Sequence, residues 1–129
     1  MGFQVYKFGG ASVQNAEGVK NLVKVLEQTQ VEDLVIVVSA MGKMTNALED
    51  VVAAYFDANA KTDTIETVEA FHPNIALELF ENPSAPVFKQ IQALLEELKG
   101  FLQRNKSPDY NFVYDQVVIY GELLSTTIV

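Results

Sequence analysis

The seven residues KFGGASV, Lys7 to Val13, join two different hydrophobic patterns near the start of the chain. An apolar run from Phe3 to Tyr6 precedes them and predicts a strand. Apolar residues at helical spacing follow them, at Val19, Leu22, Val23 and Leu26. A strand that passes through paired glycines into a helix is typical of a phosphate site, because glycines let the backbone approach an anion and the N–H groups at a helix start point at it.

Two well-known phosphate motifs do not fit this stretch. In the Walker loop the lysine follows the glycines, whereas Lys7 precedes them, and the dinucleotide fingerprint needs a third glycine in register. Paired glycines are also common in ordinary strand–helix turns. Spacing alone therefore leaves two interpretations open, a tight turn or a phosphate site in which Lys7 supplies a compact positive charge.

The next elements indicate where a site would lie. Strands are predicted over 3–8 and 34–38, joined by a helix from about Asn15, a suitable N-cap, to about Gln28. The β-branched run of the second strand predicts burial on both faces. Parallel strands need such a crossover, and ligands bind beyond their carboxyl ends. We therefore expect Lys7 and Ser39 at the same sheet edge.

The remainder of the chain is predicted to be mostly helical. A capping-box pattern at 46–49 predicts one helix start. Another helix is expected from about Thr64 to Phe80, with a kink or break at Pro73. Ser84-Ala85-Pro86 opens a further helix, and a last one starts near Phe112.

Composition excludes several classes of protein. The 129 residues carry a net charge of −8, which argues against nucleic-acid binding. Without cysteine there can be no disulfide or thiolate metal site, and no apolar stretch approaches the ~20 residues of a membrane span. We therefore expect no membrane partner and a cytoplasmic location. His72, the only histidine, is expected to be packed rather than to bind metal.

Three segments together resemble one family. KFGGASV resembles the aspartokinase motif KFGGTSV, with Ala11 in place of threonine. Residues 35–46, VIVVSAMGKMTN, resemble that family's VVVSAMGKTTN, and residues 120–125 partly match its SxGExxS helix motif. The resemblance implies an α/β amino-acid kinase fold, a three-layer αβα sandwich with a mainly parallel sheet that is incomplete here. Residues 1–129 are then the amino-terminal portion of a catalytic domain, without its remainder or the regulatory domains.

The resemblance also implies a reaction and its residues. The parent enzyme would transfer the γ-phosphoryl group of ATP to the side-chain carboxylate of L-aspartate, which gives 4-phospho-L-aspartate for lysine, threonine and methionine biosynthesis. Mg²⁺ would be carried by ATP, with its protein ligands outside this chain, and the protein would be a homo-oligomer. The implied ATP-phosphate contacts are Lys7, which is also catalytic, Gly9, Gly10 and Ser12. The implied aspartate contacts are Ser39, Thr45 and Glu122.

Other interpretations of these residues stay open. Ser12 and Thr45 could simply cap helices, and Glu122 could face solvent. The protein could act on glutamate, acetylglutamate, carbamate or a nucleoside monophosphate, or it could be a non-catalytic α/β binding module. Because the last residues are apolar, at Leu124, Ile128 and Val129, we expect the chain alone to self-associate. Because the resemblance implies that most of the nucleotide site lies beyond Val129, we also expect the chain alone to lack kinase activity.

Overall fold

The computed structural model describes residues 2–57 and 64–129. Along the chain these residues form β1 (Gln4–Phe8), α1 (Ala16–Glu27), β2 (Leu34–Val38), α2 (Met44–Phe56), α3 (Thr64–Leu79), α4 (Pro86–Arg104) and α5 (Tyr110–Ile128). Among these helices, none combines the length and the apolar character needed to cross a lipid bilayer. The predicted α/β class is confirmed.

The two strands pair in parallel, as the sequence predicts. Their register runs from Gln4 opposite Leu34 to Phe8 opposite Val38, and α1 forms the crossover. The predicted N-cap of α1 is also confirmed, because the Asn15 side-chain oxygen accepts a hydrogen bond from the Gly18 N–H at 2.8 Å. Both carboxyl ends therefore lie at one edge of the sheet.

The core lies mainly among the helices. α2 packs against α3 and α5, α4 packs against the same two helices, and α1 packs against α3. The largest apolar side chains that are fully buried share this region, at Met41, Leu48, Ile91, Leu98 and Leu124. Their removal from water is the main favourable term for this arrangement.

Burial of β2 on both faces, which its composition predicts, is wrong for this chain. Val35 and Val37 on one face are 43% and 42% exposed, and Ile36 on the other is 41% exposed. The reason is that the sheet has two strands in the described ranges, while the helices bury their apolar residues chiefly against one another.

Two helix predictions also need correction. α2 begins at Met44 with Lys43 as its N-cap and without a side-chain capping bond, so the capping box at 46–49 does not form. Buried Met41 and Met44 fix this start instead. Of the kink or break expected at Pro73, the break does not occur, because α3 continues through this residue. Burial of apolar residues on both sides of the proline offsets its missing hydrogen bond.

His72 is packed in the core, as expected from the sequence. It is fully buried on α3, and its Nδ1–H donates to the Val68 carbonyl oxygen at 2.9 Å. The ring meets Phe71 edge-on with centroids 5.2 Å apart, and Nε2 has no hydrogen-bond partner within the described residues. Burial lowers the pKa of His72 below its ordinary value, because the interior disfavours the imidazolium; the bond to Val68 opposes this shift.

The lowered pKa predicts that the chain loses stability in mild acid. Below the ordinary histidine pKa the unfolded chain binds a proton that the folded chain does not bind. The free energy of unfolding should therefore fall as the pH drops through about 6.5, by at most about 1.4 kcal/mol per pH unit from this one group. Urea unfolding at pH 7.5 and 5.5, compared between the chain and His72→Leu, measures the effect. The free energy of unfolding should change less between the two pH values in His72→Leu than in the unsubstituted chain. An equal change in both proteins would contradict the lowered pKa of His72.

Candidate functional site

The first two motifs meet at the carboxyl edge of the sheet. The Ser39 N–H donates to the Phe8 carbonyl oxygen at 3.0 Å, one step beyond the last strand pair. Two residues after Phe8, the Gly10 carbonyl oxygen accepts from the Gly42 N–H at 3.1 Å. The glycine loop, residues 9–12, and the loop 39–42 are thus held side by side by backbone hydrogen bonds.

The glycine loop leaves space around one of its glycines. A Cβ placed on Gly9 would meet no atom within 4 Å, and the loop is closed by a Ser12 N–H bond to the Gly9 carbonyl oxygen at 3.0 Å. Lys7, two residues earlier on β1, is exposed and has no ion-pair partner in ranges 2–57 and 64–129. An open backbone two residues along the chain from an exposed lysine suits an anion.

Gly10 and Gly42 serve the contact between the loops. A Cβ on Gly10 would lie 3.0 Å from the Ala40 carbonyl oxygen and 3.1 Å from that of Gly42, so a side chain there would press on backbone. Gly42 has φ of +53°, in the left-handed region that favours glycine. The turn predicted at Gly42 is therefore present, while Gly10 faces the neighbouring loop.

The third motif, residues 120–125 in α5, packs against the loop 39–42. A Cβ on Gly121, in α5, would lie 2.9 Å from the Ala40 Cβ. Glu122 follows it and is exposed, with no ion-pair partner in the described part of the chain. Ser39, which precedes Ala40, is half-buried. The glycine loop, the loop 39–42 and α5 therefore converge on Ala40.

The capping alternatives for two hydroxyl residues are wrong. The N-cap of α1 is Asn15 rather than Ser12, and the N-cap of α2 is Lys43 rather than Thr45. Ser12 is exposed in the glycine loop, and Thr45 is half-buried in the first turn of α2. Solvent exposure of Glu122, the other open interpretation, is what this chain shows. The Ser12 and Glu122 side chains are therefore accessible to a ligand, and Thr45 is partly accessible.

Tyr120, the residue before Gly121, belongs to the packing of α5 on α4. Its pKa is raised by burial first, and then by the charge of Glu97 on α4 and a hydrogen bond to it. All three effects disfavour the phenolate. Tyr120 therefore stays protonated near neutral pH and faces α4.

Two residues at the site were missed by sequence reasoning. Ala40 is 3% exposed and contacts both flanking segments. Gly18 lies under the glycine loop, where its Cβ would overlap the Ser12 carbonyl oxygen. A glycine inside the first turn of a predicted helix was the available signal, because it costs helix stability unless another segment comes close.

A groove in the described part of the chain is lined by residues outside the three motifs. It has a volume of about 540 Å³ and lies between α1, the end of α3 and the end of α5, with Val23, Phe80 and Ile128 in its lining. None of the seven predicted site residues lines it. Within 2–57 and 64–129, no three His, Asp or Glu side chains are grouped closely enough to hold a metal ion.

Comparison with known proteins places these motifs in a family context. Residues 2–129 match the amino acid kinase family. The chain is 32% identical to aspartokinase 1, chloroplastic, of Arabidopsis thaliana over 96% of its own length and 22% of that protein. It is 29% identical to the bifunctional aspartokinase/homoserine dehydrogenase of Buchnera aphidicola, over 97% of the chain and 16% of that protein.

Two solved structures have the same fold. One is E. coli aspartokinase III in complex with lysine and aspartate, with a TM-score of 0.77 and 23% identity. The other is the same enzyme in complex with aspartate and ADP, with a TM-score of 0.79 and 22% identity. Each match covers 96% of this chain and 27% of the E. coli chain. The chain thus spans about a quarter of the length of these structures.

Proposed function

The chain belongs to the amino acid kinase family, and from that premise we propose that it forms part of an ATP-dependent aspartate kinase. Residues 1–129 would be the amino-terminal portion of its catalytic domain. The observation that carries the proposal is the convergence on Ala40 of the three segments whose sequences resemble aspartokinase motifs. Similarity to proteins named aspartokinase supports the choice of acceptor.

In this proposal the glycine loop receives the phosphates of ATP. Gly9 offers open backbone, Ser12 an exposed hydroxyl, and Lys7 a free ammonium at the strand end. Phosphoryl transfer depends mainly on positioning and on stabilising negative charge. Lys7 is the catalytic residue because it would neutralise charge on the transferred group. Gly10 would act by holding the loop against residues 39–42.

The acceptor would bind between the loop 39–42 and α5. The hydroxyl groups of Ser39 and Thr45 can donate hydrogen bonds to a carboxylate, and Glu122 can pair with an α-ammonium group. Glu122 has no protein cation beside it within the described residues. One amino acid could therefore satisfy all three side chains and present its other carboxylate toward Lys7.

The residues present support ATP as the phosphoryl donor in this proposal. ATP would supply the phosphoryl group that passes to the side-chain carboxylate of L-aspartate, with 4-phospho-L-aspartate and ADP as products. The free ammonium of Lys7 and the open backbone of Gly9 fit its phosphates. Mg²⁺ carried by ATP, a homo-oligomeric state and a cytoplasmic location stay predictions.

Replacement of Lys7 by alanine tests the phosphate assignment. In an enzyme that carries these residues, Lys7→Ala should lower kcat by about 10²-fold or more, the usual loss of a single electrostatic stabiliser. Stability should hardly change, because the side chain is exposed. Lys43→Ala, which removes an exposed lysine beside the loop 39–42, is the control and should keep normal kcat. A coupled ADP-release assay measures both; near-normal kcat for Lys7→Ala would contradict the proposal.

Replacement of Glu122 by glutamine tests the acceptor assignment. The change keeps the volume but removes the charge, so the KM for L-aspartate should rise about 10-fold, as expected for loss of a charged hydrogen bond. The KM for ATP should stay near its original value.

Asp115→Asn provides a matched control for this change. Asp115 is also an exposed carboxylate on α5, seven residues away on the same face and hence roughly 10 Å along the helix. Asp115→Asn should leave the KM values for L-aspartate and ATP unchanged. If Glu122→Gln shifts the aspartate and ATP constants equally, Glu122 does not bind the acceptor.

A further inference from the structure

The contact between α5 and the loop 39–42 leaves no room for a side chain at Gly121. A Cβ on Gly121 would lie 2.9 Å from the Ala40 Cβ, and real Cβ atoms essentially never come closer than 3.0 Å to such neighbours. Its next neighbour would be Leu48 Cδ1 at 3.3 Å. Gly121 is buried, and Ala40 is 3% exposed. The methyl group of Ala40 thus occupies the space of the side chain that Gly121 lacks.

This contact lies between two of the proposed acceptor contacts. Ser39 directly precedes Ala40, and Glu122 directly follows Gly121. Each is one residue from the touching pair, so a shift of α5 away from the loop would change the separation of Ser39 and Glu122. We propose that Gly121 and Ala40 are positioning residues that set this separation, and hence the fit of the amino-acid acceptor. The inference rests on the proposed function and deepens it.

Helix propensity does not explain the glycine. Position 121 lies inside the 19-residue helix α5, where glycine is about 1 kcal/mol less favourable than alanine. Alanine would improve the helix but would collide with Ala40. The tertiary contact therefore decides the residue type.

Gly100 offers a matched comparison in another 19-residue helix, α4. Its Cβ would come closest to the guanidinium of Arg104, at 2.7 Å. Arg104 is exposed, so this end of a flexible side chain can move away. Gly100→Ala should therefore be neutral or stabilising, because only the propensity gain remains.

The contact can be tested by adding a methyl group at position 121 and then removing the one at position 40. In the 129-residue chain, Gly121→Ala should raise the Kd for L-aspartate roughly 10-fold, since small misplacements of binding groups have large effects. The Kd for ATP should change little, because α5 carries no phosphate contact. Ala40→Gly in the same molecule removes the opposing methyl group and leaves Leu48 Cδ1, the end of a side chain 3.3 Å away, as the nearest neighbour. The double variant should therefore regain the original aspartate affinity.

The measurements are titration calorimetry with L-aspartate and with ATP, thermal unfolding, and amide chemical shifts of residues 39–42 and 122. Gly100→Ala should leave both affinities unchanged. If Gly121→Ala alone fails to fold, recovery of folding and affinity in the double variant supports the proposal. Two results would overturn it: unchanged aspartate affinity in Gly121→Ala, or no recovery in the double variant.

Failure of the proposed function gives a different result. If the unsubstituted chain binds no L-aspartate, the aspartate kinase assignment fails at that point. The amide shifts then decide the positioning inference on their own. Signals of residues 39–42 and 122 should move in Gly121→Ala and return in the double variant, and signals that do not move would overturn it.

Discussion

The close approach of three segments at Ala40 is the contact on which the rest of the site depends. A Cβ on Gly10 would face the carbonyl oxygen of Ala40, and a Cβ on Gly121 would face the methyl group of Ala40. Hydrogen bonds from Ser39 and Gly42 tie the same loop to β1 and to the glycine loop. Because Gly10 and Gly121 have no side chains, the glycine loop and α5 can both pack directly against Ala40. Segments from distant parts of the sequence are thereby brought into contact.

The secondary structure near the site could be predicted from local sequence. A β-branched run and a capping asparagine specified β2 and the start of α1, and the helical crossover required parallel pairing. Prediction was wrong where burial overrides local preference. α2 begins at Met44 because Met41 and Met44 are anchored in the core, although the capping pattern lies further on. α3 runs through Pro73 for the same reason.

The site was predictable as a set of motifs but not as a set of roles. The sequence pairs Gly9 with Gly10, yet only the structure separates an open glycine from one that packs on a neighbouring loop. Ala40 and Gly18 carry no chemical signature, since their importance lies in the space they leave or fill. Likewise, the apolar β2 sequence suggests a buried strand, whereas the two-stranded sheet leaves it exposed. Roles of this kind depend on contacts between segments far apart in the sequence.

The central claim is that the three segments around Ala40 form one site for a phosphorylated nucleotide and an amino acid. Amide chemical shifts of the labelled chain, recorded during separate titrations with Mg-ATP and L-aspartate, test it most directly. Mg-ATP should move the signals of residues 7–12, and L-aspartate those of residues 39–45 and 122, with Ala40 responding to both. Shifts confined to the groove lined by Val23, Phe80 and Ile128, or no shifts with either ligand, would contradict the account.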